Sequence, residues 1–155
     1  MSKAASTSRS QAHSQLRPGI GKLLRRAHRA YSRKLQDGLA AHGVTLAQYL
    51  HLRELWELNG VTQNELSQKV GIEKASSTSV LDALEKNGLI VRMRNAQDRR
   101  KVNVHLTPAG QRIRELISPA ARSVAMQAVS DLSEPELDSL FSALNRVIAN
   151  LDQDG

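Results

Sequence analysis

The sequence predicts a mainly α-helical fold of the α+β class, with helices on both sides of one small β-hairpin. The first supporting observation is the segment Val61–Leu66, where a threonine cap, a glutamate three residues later and flanking apolar residues form a complete helix-start signal. The second is a pair of β-prone runs, Leu89–Met93 and Val102–Leu106, joined by a long basic loop. Two short helices followed by such a hairpin are typical of a winged helix-turn-helix. The function most easily built on that arrangement is the binding of duplex DNA.

Residues 16–43 are predicted to form a first long helix. Apolar residues recur there at steps of three and four, the spacing of one helix face, and the glycine at position 43 suits the helix end. This helix is longer than its own lobe requires, so we expect it to pack against something else. Residues 1–15 are predicted to be a mobile basic tail, because they are rich in serine and alanine and lack the apolar stretch of a secretory signal.

Residues 45–106 are predicted to form the winged helix-turn-helix lobe. Thr45 and Gln48 give a second capping box, and the helix that follows is expected to support the helix-turn-helix from behind. The first helix of the pair should end at Gly71, because glycine readily takes the left-handed conformation that ends helices. The second, from about Lys74 to Asn87, is the predicted recognition helix.

Residues 107–152 are predicted to form two further helices. Thr107 and Pro108 suit a helix start, Pro119 is a candidate kink, and the last helix should begin at a capping box on Ser133. The apolar stripe of that last helix is too long for one small lobe to cover. We therefore expect it to form a dimer interface with the stripe of the first helix; the alternative is that both stripes pack within one chain. The predicted interface residues are Ile20, Leu23, Leu137, Leu140, Phe141, Leu144 and Ile148.

The formal net charge of +7 is unevenly distributed. Residues 1–45 carry nine Lys and Arg against one acid, residues 92–101 carry five against one, and residues 129–155 carry one against six. The amino-terminal region and the predicted wing should therefore attract phosphate, whereas the carboxyl end should be repelled by it. Solubility alone is the alternative explanation of a basic chain, but the clustering on the wing argues against it.

Several function classes are excluded or weakened by residue usage. The chain has no cysteine, which excludes disulfides, thiolate metal sites and thiol-based redox sensing. The five histidines lack metal-binding spacing, and the serines at 76, 77 and 79 lack the motif of a nucleophilic serine. No apolar run approaches the ~18 residues of a membrane span. We therefore predict a cytoplasmic protein that is not an enzyme, with no cofactor, no metal site and no membrane partner.

Four short motifs carry a resemblance to a known family. They are Thr62–Leu66, Leu81–Ile90, Asp98–Arg100 and Leu106–Gly110. Together they resemble the MarR family of transcription regulators over roughly residues 16–151, and the most specific part is Asp-x-Arg followed by Leu-Thr-x-x-Gly. The resemblance implies a single domain over residues 16–155. Within it, residues 16–43 and 107–152 would be dimerisation helices, and residues 45–106 would bind DNA.

The amino-terminal half of a recognition helix normally enters the major groove. With Ser77 and Leu81 on the buried face, a step of ~100° per residue turns the neighbouring polar residues outward or to the flanks. The candidates for contacts with base edges or phosphates are Lys74, Ser76, Thr78 and Ser79. The alternative is that they are small polar surface residues. Many members of the family have a β-branched apolar residue where Ser77 stands and a basic residue near Ser79, so we expect looser packing and weaker electrostatic attraction here.

The wing is better equipped for DNA. In the family, the arginine of Asp-x-Arg typically enters the minor groove and is steadied by the aspartate, which assigns these roles to Arg100 and Asp98. Arginine suits a narrow groove because its planar guanidinium sheds water relatively easily and meets a strong negative potential there. Arg94, Arg99 and Lys101 are expected to bind phosphates. The alternative is a surface ion-pair cluster with no role in DNA binding.

The resemblance also implies a small-molecule site between the dimer lobe and the DNA lobe, where members of the family commonly bind aromatic acids or phenols and lose DNA affinity. The predicted lining comes from the first two helices: His28, Tyr31, Tyr49, His51, Arg53 and Trp56. An arginine beside aromatic rings is a suitable receiver for a carboxylate. For Tyr49 and Trp56, a plain role in the core is the alternative.

The sequence thus predicts a homodimeric regulator that binds a pseudo-palindromic operator in double-stranded DNA. Repression relieved by a small aromatic acid, or by an aromatic acyl thioester, is the predicted mechanism. One alternative is a sequence-tolerant architectural DNA binder that uses the same basic surfaces. Another is a ligand-sensing or metal-sensing module whose DNA affinity has faded.

Overall fold

The structure is a computed structural model that describes residues 19–152 of the chain. The predicted basic tail, residues 1–15, lies outside the described residues, as does the predicted start of the first helix at residue 16. The architecture is mainly helical with one two-stranded antiparallel sheet, which confirms the predicted fold class. In chain order the elements are α1 (Ile20–Ala40), α2 (Leu46–Glu57), α3 (Gln63–Val70), α4 (Lys74–Lys86), β1 (Ile90–Arg94), β2 (Val102–Leu106), α5 (Pro108–Ala128) and α6 (Glu134–Leu151).

Three helices begin at the capping boxes that the sequence predicts. The caps of α2, α3 and α6 are Thr45, Thr62 and Ser133, and each pairs with the residue three positions later. In α3 the Thr62 hydroxyl accepts the backbone N–H of Glu65 at 3.2 Å, and the Glu65 carboxylate accepts the N–H of Thr62 at 2.8 Å. These bonds satisfy N–H groups that a helix start leaves unpaired.

Glycine and proline have the expected effects at two other helix ends. Gly71 closes α3 in the left-handed conformation, with φ 76°, as the sequence predicts. Thr107 caps α5, whose first residue is Pro108, and α5 continues past Pro119 as one helix. Gly110 in the first turn of α5 is packed so closely against the backbone carbonyl of Leu89 that a Cβ atom there would clash with it. The glycine of the Leu-Thr-x-x-Gly motif therefore lets α5 lie against the start of the hairpin.

Two groups of buried residues hold the chain together. The first lies between α2, α3, α4 and the hairpin and comprises Leu52, Leu55, Leu66, Leu81, Leu84, Ile90 and Val104. The second joins α1 and α5 and comprises Leu35, Leu39, Val44 and Ile117. Trp56 packs against both groups, and its indole N–H donates to the carbonyl of Gly110 at 2.9 Å. The winged helix is thereby fixed to α1 and α5.

The hairpin pairs Ile90 with Leu106 and Arg94 with Val102 in an antiparallel register. The segment before α3 adds to its free edge, because the N–H of Gly60 donates to the carbonyl of Val104 at 2.9 Å. The N–H of Val104 in turn donates to the carbonyl of Val61 at 2.9 Å. The wing is therefore bonded directly to the entrance of the helix-turn-helix.

Helix α6 differs from all the other helices in its burial. Among the residues that the structure describes, none on α6 is buried within the chain. Its apolar side chains are largely exposed: Leu140 by 39%, Ile148 by 54% and Phe141 by 61%. Within residues 19–152 there is also no helix with the length and apolar character needed to cross a membrane.

Candidate nucleic-acid interface

The amino-terminal half of α4 presents a short polar surface. The four predicted contact residues, Lys74, Ser76, Thr78 and Ser79, are all exposed. The Thr78 hydroxyl donates to the carbonyl of Lys74 at 2.9 Å, and the Ser79 hydroxyl donates to the carbonyl of Ala75 at 3.3 Å. Because each hydroxyl proton is directed at the helix backbone, the lone pairs of the oxygen face outward. In this arrangement Thr78 and Ser79 are suited to accept hydrogen bonds from a base edge.

Ser77 is on the buried face of α4, as the helical spacing predicts, but the expected loose packing is not found. Its hydroxyl forms a buried hydrogen bond of 2.9 Å with Nε2 of His51 on α2. The other ring nitrogen of His51, Nδ1, lies 2.7 Å from the carbonyl of Ala47. A carbonyl can only accept, so Nδ1 carries the proton and Nε2 accepts from Ser77. The recognition helix is thus bonded to its supporting helix at the residue between Ser76 and Thr78.

This geometry corrects the prediction that His51 contacts a small molecule. The imidazole is fully buried, and both of its nitrogens are bonded within the protein. Burial lowers the pKa of His51 below its ordinary value of 6.5, with a smaller opposite effect from the bond to Ala47. His51 is therefore a core residue that sets the position of α4.

The tip of the wing displays Arg100. One carboxylate oxygen of Asp98 accepts the backbone N–H and the Nε–H of Arg100, each at 3.1 Å, and the other oxygen lies 3.3 Å from Nη2. These bonds lower the pKa of Asp98, which is therefore ionised at neutral pH. The Arg100 side chain is 91% exposed. The ion pair predicted for Asp-x-Arg is present, and it leaves the guanidinium open to solvent.

The remaining wing cations surround that tip. Arg94, Arg99 and Lys101 are exposed, as a role in phosphate binding requires. Arg94 also donates from Nη1 to the carbonyl of Arg99 at 2.9 Å, so it braces the loop as well as adding charge. A cavity of about 270 Å³ separates Arg100 and Lys101 from the first turn of α3. The wing and the helix-turn-helix therefore lie side by side on one face, and the wing supplies most of its positive charge.

Sequence reasoning missed one residue of this face, Arg92 on β1. Its Nη2 lies 2.7 Å from Asp82 and 2.7 Å from Glu85, both on α4, and the Glu85 carboxylate also accepts the Arg92 backbone N–H at 3.0 Å. The bond to Arg92 lowers the pKa of Glu85, and the same bond raises the pKa of Arg92. The two acids are three residues apart on α4, a spacing that makes them neighbours on the helix surface and could have indicated a shared basic partner. The sequence did not identify that partner, because Arg92 belongs to a strand.

The predicted interface residues do lie together on one apolar surface. Ile20, Leu23, Leu140 and Leu144 line a groove of about 850 Å³ between α1, α5 and α6. Phe141 and Ile148 are more than half exposed, and Leu137 is partly buried. The described chain leaves this surface uncovered. We call this surface, formed by the apolar stripes of α1 and α6, the end-helix face.

The predicted small-molecule residues do not form a single cleft. His28 and Tyr31 line the groove of the end-helix face, whereas Trp56 is held between the two cores by its bond to Gly110. Tyr49 packs on Trp56 with ring centroids 6.3 Å apart, and both rings are only partly buried against the second group of core residues. A single lining drawn from the first two helices is therefore wrong.

A smaller group remains near the surface. Arg53 is exposed and pairs with its neighbour Glu54 at 3.1 Å. Burial raises the pKa of Tyr49, the positive charge of Arg53 partly offsets this, and Tyr31 adds a smaller rise. Tyr31 and Arg53 are thus each within electrostatic reach of Tyr49. These three residues are the part of the predicted site that the fold brings together.

Comparison with known proteins identifies the group to which this chain belongs. The family model described as the MarR family matches residues 44–102, which include the helix-turn-helix and most of the wing. The regulator MgrA of Staphylococcus aureus is 30% identical over 129 residues, covering 83% of this chain and 84% of MgrA. This chain belongs to the MarR family. It is a DNA-binding transcription regulator of the winged-helix type, as the sequence motifs predict.

The chain is also similar to a further regulator in sequence and to regulators of known structure. An uncharacterized regulator of Bacillus subtilis, YsmB, is 35% identical over 94 residues, which span 61% of this chain and 64% of YsmB. A mutant MarR of E. coli complexed with operator DNA superposes with a TM-score of 0.78, 26% identity, and coverage of 83% of this chain and 92% of that one. The Bordetella bronchiseptica regulator BpsR, studied for regulation of DNA binding by 6-hydroxynicotinic acid, gives a TM-score of 0.77 and 26% identity, covering 83% and 97%. Because these relatives are regulators, the prediction that the chain is not an enzyme is confirmed.

Proposed function

We propose that this chain is a homodimeric repressor that binds a pseudo-palindromic operator and is released by a small aromatic acid or its thioester. The observation that carries the proposal is the end-helix face, an apolar surface that residues 19–152 leave uncovered. A regulator of this class acts where the chromosome lies, so the cytoplasm is its proposed location.

A second copy of the chain is the occupant that best fits the end-helix face. Monomeric proteins rarely expose a contiguous apolar surface of this kind, because its burial is favourable by roughly 25 cal/mol per Å². Helix α6 is held to its own chain by few contacts, and its apolar stripe runs along its whole length from Leu137 to Leu151. A twofold axis beside α1 and α6 would let the same stripes of two copies cover each other.

The contact with DNA follows from the surfaces of α4 and the wing. Ser76, Thr78 and Ser79 are short side chains, so they reach base edges only if α4 lies deep in the major groove. Arg100 projects into solvent from the wing with its guanidinium bonded to Asp98, and it is the side chain that would enter a neighbouring minor groove. Charge on α4 is low, since Asp82 and Glu85 lie on it, and the wing supplies most of the phosphate attraction. Two copies would read half-sites about one DNA turn apart, ~34 Å.

A footprint on the DNA upstream of the chain's own gene tests this proposal against its main alternative. A sequence-specific dimer should protect one palindrome with two half-sites. Uniform coating of the fragment would instead support a sequence-tolerant architectural binder. Binding too weak to survive moderate salt would support the third candidate, a ligand-sensing or metal-sensing module with faded DNA affinity. That candidate is suggested by the low charge of the recognition helix.

Release by an aromatic acid is supported by the neighbourhood of Tyr31, Tyr49 and Arg53. Among the described residues, Arg53 pairs with the adjacent Glu54 alone, in an exposed ion pair of little strength, so a ligand carboxylate can compete for its guanidinium. These residues lie where α1 meets the winged helix. A ligand there favours a dimer whose recognition helices are wrongly spaced for the operator only if it binds that state more tightly than the DNA-binding state.

The test is a titration of the operator complex with aromatic acids, their thioesters and phenols. We expect the effective ligand to weaken operator binding by tenfold or more, which corresponds to about 1.4 kcal/mol of coupling. Arg53→Ala should blunt the response while leaving DNA affinity in the absence of ligand nearly intact. Arg112→Ala removes an exposed arginine from α5 and serves as the matched control. If no compound of the panel weakens operator binding by the wild-type protein, the proposed release by aromatic acids is wrong. If Arg53→Ala responds to the ligand as the wild type does, Arg53 is not part of the ligand site.

A further inference from the structure

The wing tip poses a physical problem for DNA binding. Seven residues, 95–101, connect β1 and β2, and Arg100 is among them. A loop of this length is normally mobile, and ordering its residues on DNA costs backbone conformational entropy. A loop that is already ordered in the free protein avoids much of that cost.

Asn95 closes the tip from inside. Its side-chain oxygen accepts the backbone N–H groups of Gln97 and Asp98, each at 2.9 Å. Its side-chain nitrogen donates to the side-chain oxygen of Asn103 at 2.9 Å. One amide group therefore holds the turn that carries Asp98 and also ties that turn to the opposite strand.

Asn103 extends the connection to the helix-turn-helix. Its side-chain nitrogen donates to the carbonyl of Gly60 at 2.7 Å, and its backbone pairs with Thr62, the cap of α3. Both asparagine side chains are partly buried. The sheet does not need these side chains, because backbone pairing alone supplies the register of the hairpin.

The bonds form a continuous path from the start of α3 to the exposed guanidinium. The path runs from Gly60 through Asn103 and Asn95 to Asp98, whose carboxylate holds Arg100 by its backbone N–H and its Nε–H. We propose that Asn95 and Asn103 are positioning residues that hold Arg100 in its DNA-binding geometry before DNA arrives. This inference rests on the proposed contact between the wing and DNA.

The experiment is a double-mutant cycle on the full chain, measured by operator affinity on the footprinted fragment. Asn103→Val keeps a good strand former at that position and should weaken binding by about three- to tenfold, the range expected for one net hydrogen bond. The same substitution in an Arg100→Ala background should change affinity by less than about twofold, because the path then has no side chain to position. Gln97→Ala, at the same tip but outside the path, is the matched control and should bind as the wild type does.

Two further measurements keep the result unambiguous. Asn95→Ala changes a residue of the loop and leaves both strands intact, so it provides a second test if Asn103→Val is poorly folded. It should show the same loss of operator affinity. Hydrogen exchange in the DNA-free protein should be faster at the amides of Gln97 and Asp98 in both asparagine variants, which requires no DNA at all.

The possible failures are distinct. If Arg100→Ala itself leaves affinity unchanged, the proposed wing contact fails and this inference fails with it. If Arg100→Ala weakens binding but Asn103→Val weakens it equally in both backgrounds, the wing contact stands and the positioning role is overturned. Unchanged amide exchange in both asparagine variants would also overturn that role.

Discussion

Arg100 combines exposure with order, a combination that few surface side chains achieve. The guanidinium is almost fully exposed, yet the Asp98 carboxylate fixes its direction through a backbone and a side-chain bond. A weakly hydrated cation held in this way can enter a narrow minor groove without a large loss of rotamer freedom. At the scale of single residues, this is the strongest candidate for a DNA contact in the described chain.

Arg100→Ala should therefore weaken operator binding by about 1–3 kcal/mol and lower the salt slope by about one unit. The measurement is a series of binding isotherms over a range of salt concentrations. Gln97→Ala, two positions before the arginine pair, should change neither quantity. Equal affinities for wild type and Arg100→Ala at moderate salt would show that the wing does not touch DNA.

His51 gives a prediction about stability and pH. Its pKa is lowered in the folded protein, so the unfolded chain binds a proton more readily at mildly acidic pH. The stability contributed by the neutral, buried ring is fully present above the unfolded value of 6.5 and is lost as the pH falls below it, toward the folded pKa. This one group can lower the free energy of unfolding by at most about 1.4 kcal/mol per pH unit in that window.

Urea unfolding of the wild type and of His51→Gln at pH 7.5 and 5.5 checks this. Glutamine takes up no proton, so the variant should lose less stability on acidification, whatever its stability at pH 7.5. The comparison between the two proteins removes the contribution of the other histidines. Equal losses in both proteins would mean that His51 is not the group that titrates.

At the scale of elements, the relation between α4 and the wing strand depends on the Arg92 network. One guanidinium bonds to two carboxylates on the recognition helix, and one of those also accepts a backbone N–H. The network neutralises acids that would otherwise repel DNA, and it ties α4 to the wing strand, the two elements proposed to enter neighbouring grooves. Bidentate arginine bonds of this kind are stronger than ordinary surface ion pairs.

Arg92→Ala should lower the free energy of unfolding by about 1–2 kcal/mol, a value that allows for the partial exposure of the carboxylates. Arg53→Ala breaks the exposed pair with Glu54 and should cost less than about 0.5 kcal/mol. Chemical unfolding at neutral pH compares the two variants. Similar small losses in both would show that the Arg92 network is no stronger than a surface pair.

The elements also show which parts of the fold were predictable. The starts of α2, α3 and α6 are set by pairs three residues apart, such as Thr62 with Glu65, so local sequence is sufficient to predict them. The hairpin and its Asp-x-Arg tip were predictable for the same reason, because the residues that form them are close along the chain. The hydrogen bonds of His51 and Trp56 were not predictable, because their partners Ser77 and Gly110 are 26 and 54 residues away along the chain.

At the scale of the whole molecule, the end-helix face should decide whether the protein assembles. Leu140→Asp or Leu144→Asp places a carboxylate in the proposed interface, where burial without a partner is strongly unfavourable. Either variant should sediment as a monomer, or unfold, and should lose operator affinity, because one winged helix binds only half of the site.

Ser142→Asp provides the matched control. It adds the same charge to α6 but on the polar side, about 160° around the helix from Leu140 and Leu144 at ~100° per residue. This variant should assemble and bind DNA as the wild type does. A Leu140→Asp protein that remains folded and dimeric by sedimentation would show that the end-helix face is not the interface.

The sequence by itself determined the helices, the hairpin and the charged wing, because each depends on side chains that are close along the chain. It also determined that α6 carries an apolar face, since the 3.6-residue period is visible without a structure. Tertiary structure alone decided which polar residues became core and which stayed exposed. It buried His51 against Ser77, tied Arg92 to α4, and divided the predicted small-molecule residues between core and surface. These outcomes depend on how whole elements pack, and distant pairs meet only when the packing brings their elements together.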